Sequence, residues 1–170
     1  MSSTTKTTTT APARIRSSVP SKRVLRSINP FVSDTLRSPF HRLLSGGVML
    51  LTFTGRKTGK QYTFPVNYAR EGDTLTVFSS KSWWKNLRGG GRVAVRLQGR
   101  GRTARAEVIR DRAAVLEAVE RLEAEYGLKG SGRRIGLTLD ISPPPTRDEL
   151  AAALEDRVVI RLTLDPETRS

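Results

Sequence analysis

Hydrophobic positions follow two different rhythms, and the change falls near residue 46. Before it, Val24, Leu25, Ile28, Phe31 and Val32, and then Leu36, Phe40, Leu43 and Leu44, recur at helical spacing between Arg23, Arg26, Arg37 and Arg42. Pro30 and Pro39 limit any helix there, so residues 23–46 read as an amphipathic segment of one or two short basic helices. After it come short runs rich in Val, Thr, Phe and Tyr. They predict strands at Val48–Thr54, Tyr62–Ala69, Leu75–Ser79, Val93–Leu97, Thr103–Ile109 and Arg157–Leu164. Glu71, Gly72 and Asp73 supply the turn of one hairpin, and the five residues Gln98–Arg102 that of a second. Pro65 cannot donate to a ladder, which assigns its strand to an edge or a bulge.

Helical signals are fewer. Ser82–Arg88 reads as a short turn capped by Ser82, with Trp83, Asn86 and Leu87 on one face and Trp84 and Arg88 on another. A longer helix is predicted from Asp111 as N-cap to about Tyr126, with Val115, Leu116, Val119 and Leu122 on its apolar face and Gly127 as its stop. Gly130–Pro145 reads as irregular apart from an extended piece at Ile135–Leu139. Thr146 and Glu149 then form a capping box that opens a helix to about Leu154. Strands in antiparallel hairpins with one or two peripheral helices define a mainly β, α+β domain over 47–165, a small closed or split antiparallel barrel. No strand–helix–strand alternation is long enough for a doubly wound sheet. Residues 1–22, rich in Thr and Ser and poor in apolar side chains, read as a disordered basic tail, and 166–170 as a second tail.

Composition narrows the chemistry. The 170 residues include no Cys and a single His, His41, which lies away from the motifs and reads as structural or solvated. A thiol nucleophile, a disulfide scaffold and a multi-histidine metal site are thereby excluded, and no metal site is expected. The longest apolar run, Val48–Leu51 extended to Phe53, is too short to span a bilayer. The net charge of +14 is regional: residues 1–46 carry eight basic and one acidic residue, 47–110 thirteen and three, and 111–170 nine and twelve. Such a field seeks phosphates, polycarboxylates, nucleic acid or an anionic membrane surface.

Three stretches carry candidate chemistry. Gly55, Arg56, Lys57, Thr58, Gly59 and Lys60 lie between two strands. The glycine spacing is wrong for a Walker loop and no helix follows, yet two glycines in a turn expose backbone N–H groups as an anion nest beside three cations. Ser79–Arg88 gathers both tryptophans, Trp83 and Trp84, among lysines, a pattern that fits a core anchor, one wall of a flat aromatic pocket, or base stacking. Gly99–Arg102 is most simply a turn, and Glu117, Glu120, Glu123 and Glu125 a solvated helix face.

Taken in order, these residues resemble the deazaflavin-dependent nitroreductase family of the split-barrel flavin-binding superfamily. The matching string runs from Leu50–Gly59 through Thr63–Val66, Arg70–Asp73 and Ser79–Lys81 to Trp83–Arg88 and Val93–Val95. The resemblance implies an FMN-binding-like split barrel and a hydride-transferring oxidoreductase using the deazaflavin coenzyme F-420, with FMN or no cofactor as the alternatives. It further implies that Arg56, Lys57, Thr58 and Gly59 contact the phosphate region, joined by Lys60 on charge. Pro65, Val66, Asn67, Ser79, Ser80 and Lys81 would line the ring, and Trp83, Trp84 and Asn86 would flank it. The acceptor would be a small conjugated or quinone-like molecule. Dimers are frequent in this superfamily, so a homodimer is expected, located in the cytoplasm and touching the inner membrane face through the N-terminal segment. Only Ser82 separates Lys81 from Trp83, a shorter loop than is usual in the family. That shortening and the basic amphipathic segment leave a second function class open, a non-catalytic lipid or small-ligand carrier. A nucleic-acid-binding module is a third, less favoured because no strand shows the aromatic spacing of an RNA-binding sheet.

Overall fold

The computed structural model describes residues 15–17 (backbone only), 47–139 and 143–166. His41, the expected helices of 23–46 and most of the expected tail lie outside the described residues. The chain order is β1 (Ile15–Ser17), β2 (Val48–Thr54), β3 (Gln61–Asn67), β4 (Ala69–Glu71), β5 (Thr74–Ser79), a 3-10 turn (Ser82–Leu87), β6 (Gly91–Leu97) and β7 (Arg100–Ile109). It continues with α1 (Arg112–Ile135), β8 (Leu137–Leu139), α2 (Arg147–Ala153) and β9 (Val158–Leu164).

Seven strands form one antiparallel sheet in the order β3-β2-β6-β7-β9-β5-β4. β3 and β4 are separated in sequence only by Tyr68 yet stand at opposite edges. The sheet therefore curls until its two ends meet, which brings β3 against β5 and makes a split barrel. Buried Tyr68, between β3 and β4, extends the β2–β3 ladder by one step, donating its N–H to the Gly47 carbonyl at 2.9 Å. The edge position of β3 accounts for Pro65, which pairs with Leu50 on one side and needs no donor on the other.

Alternation sorts the apolar side chains into two cores. Met49, Leu51 and Phe53 of β2 and Val93, Val95 and Leu97 of β6 point into the barrel with Leu75, Val77, Ile160 and Leu162. β5 and β9 carry apolar residues on both faces, because Phe78 and Val159 turn outward under Val115, Val119 and Leu122 of α1 and Leu150 and Leu154 of α2. Burying each such side chain contributes roughly 1.5–3 kcal/mol.

The helix ends follow the sequence signals. The Asp111 side chain accepts from the Ala114 N–H at 2.9 Å, and Gly127 (φ 69°, ψ 171°) breaks α1 where a stop was expected. Thr146 and Glu149 form both bonds of the capping box. Three expectations need correction. Ser82 does not cap the 3-10 turn: Lys81 stands at its N-cap and no side chain makes a capping bond. Residues 130–135 are not irregular: helix resumes after Gly127 and runs to a left-handed Gly136 cap. Tertiary contact overrides the poor helix propensity of its Gly and Ser residues, since Ser131, Gly132 and Ile135 are buried. The turn between β6 and β7 is only Gln98 and Gly99, both at positive φ (47° and 85°), so Leu97 pairs directly with Arg100. β8, close to the extended piece expected at 135–139, pairs with β1, which falls inside the stretch read as a tail. No described helix is long and apolar enough to cross a membrane.

Candidate functional site

The connection between β2 and β3 is a closed turn. The Gly55 N–H donates to the Lys60 carbonyl at 2.8 Å, and the Gly59 N–H to the Gly55 carbonyl at 2.9 Å. The Thr58 hydroxyl accepts from the Lys60 N–H at 3.3 Å and shares a 3.2 Å hydrogen bond with the Tyr62 hydroxyl. One backbone donor points out of the turn: the Arg56 N–H donates to Asn86 Oδ1 at 3.1 Å. Four backbone donors are thus engaged by the protein itself, so an anion nest is not built from them. The capacity to hold an anion rests instead on the exposed side chains of Arg56, Lys57 and Lys60.

Asn86 joins the two motifs. Its Oδ1 receives Arg56, and its Nδ2 donates to the Trp83 carbonyl at 2.9 Å. The Arg56 guanidinium adds a bond from Nη1 to the Arg88 carbonyl at 3.2 Å. The glycine turn and the tryptophan turn, thirty residues apart, are therefore joined by two hydrogen bonds.

The two tryptophans have separate places. A three-residue period puts Trp84 and Leu87 together in the barrel core and Trp83 with Asn86 on the other side, which corrects the grouping of Leu87 with Trp83 expected from α-helical spacing. Trp83 is half-buried and stacks on Phe53 (5.7 Å, 21°), with its edge to Phe64 (5.0 Å, 71°). Phe53 in turn stacks on Tyr62 at 5.8 Å. These four rings form a wall beside the turn. Trp84 is only 8% exposed, with the guanidinium groups of Arg88 and Arg110 at 5.0 and 5.2 Å from its ring centre.

The other expected residues frame the same barrel. Ser79 is buried, and its hydroxyl accepts from the Lys81 N–H at 3.1 Å, shaping the bend that leaves Ser80 and Lys81 exposed. Val66 packs against the barrel core, Pro65 is exposed, and Asn67 Nδ2 donates to the Arg133 carbonyl at 3.0 Å. Pro65–Asn67 sits at the far end of β3 from the turn, and among the described residues it makes no hydrogen bond to the turn or to Ser79–Asn86. Sequence reading missed Phe53, Tyr62 and Phe64. The signal was present in the alternation, since Phe53 and Tyr62 are cross-strand partners facing inward.

Charge at this site is unbalanced. Among the described residues, Arg56, Lys57, Lys60, Lys81, Lys85 and Arg88 have no carboxylate within ion-pair distance. Exposed cations without carboxylate partners next to a cluster of aromatic rings suit a ligand with an anionic arm and a planar ring.

A family model described as F420H(2)-dependent quinone reductase matches residues 31–140. No curated protein matches the sequence. Among solved structures, an FAD and heme binding protein from Mycobacterium smegmatis is 20% identical, with 77% of this chain and 67% of that one covered and a TM-score of 0.45. A heme storage protein from Vibrio cholerae is 13% identical over 74% and 85% of the two chains, at a TM-score of 0.48. An F420-H2 dependent reductase is 17% identical over 68% and 93%, at 0.42.

Proposed function

The chain belongs to the F420H(2)-dependent quinone reductase family, and from that membership we propose how its own residues serve a deazaflavin-dependent oxidoreductase acting on a small-molecule substrate. Arg56, Lys57 and Lys60 hold the anionic arm of the F-420 coenzyme, with Thr58 and Gly59 fixing the turn that presents them. Ser79, Ser80 and Lys81, with Pro65, Val66 and Asn67 along β3, seat the ring. Trp83, backed by Phe53, Tyr62 and Phe64, bounds it and keeps water from that face. Trp84 and Asn86 act from behind, as the anchor and the bridge of the joined turns. When bound, the reduced deazaflavin supplies the hydride; the protein supplies orientation and a water-poor surface. The acceptor is a small, flat, quinone-like molecule able to lie against the aromatic wall. The accompanying proton comes from solvent or a backbone-held water.

The observation that carries this reading is the Asn86 bridge, which couples the cationic turn to Trp83. Fluorescence titration of the deazaflavin with wild type and Asn86→Ala tests it. Wild type should bind at micromolar protein, and the variant roughly ten-fold or more weaker, because the cationic turn loses the bond that positions it beside Trp83. No fluorescence change with wild type would remove the cofactor assignment.

The basic residues 23–46 are the segment through which this enzyme touches an anionic membrane face. Co-sedimentation with anionic liposomes should fall when residues 1–45 are removed; equal partitioning of both proteins would refute the contact.

A further inference from the structure

A cavity of about 280 Å³ opens where the first turn of α1, the last turn of α2 and the start of β9 meet. None of the residues assigned to the coenzyme lines it. One wall is apolar, made chiefly by Val115, Leu116 and Leu154, and the other carries Arg110, Arg112 and Arg157 together with one carboxylate, Glu155. Arg112 is paired with Glu155 at 3.1 Å. Arg110 lies over the Trp84 ring and, among the described residues, has no carboxylate within ion-pair distance.

Arg157 is the unusual member. It is 8% exposed, and its guanidinium donates from Nη1 to the Ile135 carbonyl at 2.5 Å and from Nη2 to the Gly136 carbonyl at 3.4 Å. These carbonyls satisfy donors but do not neutralise charge. Among the described residues no carboxylate lies within ion-pair distance, and Asp156, the nearest acidic influence, is itself exposed. Burial accordingly pulls the Arg157 pKa below its ordinary value. A buried charge without a counter-charge is costly, and an anion in the adjoining cavity would relieve it.

We infer that this cavity binds a small amphipathic carboxylate, an acyl or aryl acid whose charged head meets Arg110 and Arg157 and whose apolar body lies on Leu116 and Leu154. A bare phosphate would leave the apolar wall wetted, and a neutral apolar molecule would leave the two guanidinium groups uncompensated. The site goes beyond the redox reading and stands independently of it.

Calorimetric titration of the full chain with octanoate, octanol and inorganic phosphate tests the assignment. Octanoate should bind saturably, and octanol and phosphate roughly ten-fold or more weaker, because only octanoate meets both walls. Arg157→Met should weaken octanoate by a similar factor. Leu116→Trp, which fills the cavity from a half-buried helical position, should abolish octanoate binding while leaving deazaflavin affinity unchanged, and it keeps the test decisive if Arg157→Met does not fold. Octanol or phosphate binding as tightly as octanoate, or octanoate binding undiminished in Leu116→Trp, would overturn the inference. Loss of deazaflavin binding by wild type would instead touch only the redox reading.

Discussion

Gly55 and Gly59 look equivalent in the sequence but have different reasons for being glycine. A Cβ on buried Gly55 would meet the Tyr62 ring at 2.7 Å and the Thr58 hydroxyl at 2.8 Å. A Cβ on Gly59 would meet nothing within 4 Å, and only its φ of +64° opposes it. Gly55→Ala should therefore cost about 1–3 kcal/mol through overpacking, and Gly59→Ala about 1 kcal/mol through backbone strain. Urea unfolding of both variants checks the order, and a larger loss at Gly59 would contradict it. The glycines and cations of this turn were legible because they are adjacent in sequence. The Asn86 bridge was not, because a side chain accepting a backbone donor thirty residues away leaves no periodic trace. The sorting of Trp83 from Trp84 was also hidden, since it depends on a three-residue helical period that two adjacent tryptophans do not reveal.

At the scale of elements, legibility tracked how local the determining interaction is. The α2 capping box is closed by residues three apart, with the Thr146 N–H to Glu149 Oε2 at 2.8 Å and the Glu149 N–H to Thr146 Oγ1 at 3.3 Å. Thr146→Ala should lower stability by about 1 kcal/mol, and Thr146→Ser should restore most of it; unfolding midpoints separate the two, and an unchanged midpoint in Thr146→Ala would show that the box contributes nothing. Asp111, Gly127 and Pro65 were readable for the same reason, each acting on its own backbone or its own strand edge. The second arm of α1 was not, because its Gly and Ser residues favour helix only through burial of Ser131, Gly132 and Ile135. The tighter turn between β6 and β7 likewise rests on Gln98 adopting positive φ, which composition alone does not announce.

Across the whole molecule, the positive charge of residues 47–110 proves to be unevenly compensated. Ion pairs gather on the helices, as Arg121–Glu117 and Arg147–Glu120, and on the far strands, as Arg92–Asp165 and Arg161–Glu107. Around the glycine turn none forms among the described residues. Attraction for an anionic coenzyme should then weaken with salt: from about 50 to about 300 mM NaCl, the dissociation constant should rise roughly ten-fold as screening shortens. A constant affinity across that range would place the binding energy elsewhere. The barrel itself was legible as a class from alternation and turns, whereas strand order was not, because it is set by pairings between segments far apart in the chain. One of those pairings governs how the molecule can be made. β9, the final strand of the sheet, lies between β7 and β5 and bonds to both. Until residues 158–164 emerge from the ribosome, β5 and β7 each present a bare edge lined by inward-facing apolar side chains. Between completion of β7 at Ile109 and arrival of β9, the nascent chain holds two half-sheets with open edges, and the last strand of the sheet is the one that joins them and shields them from other chains.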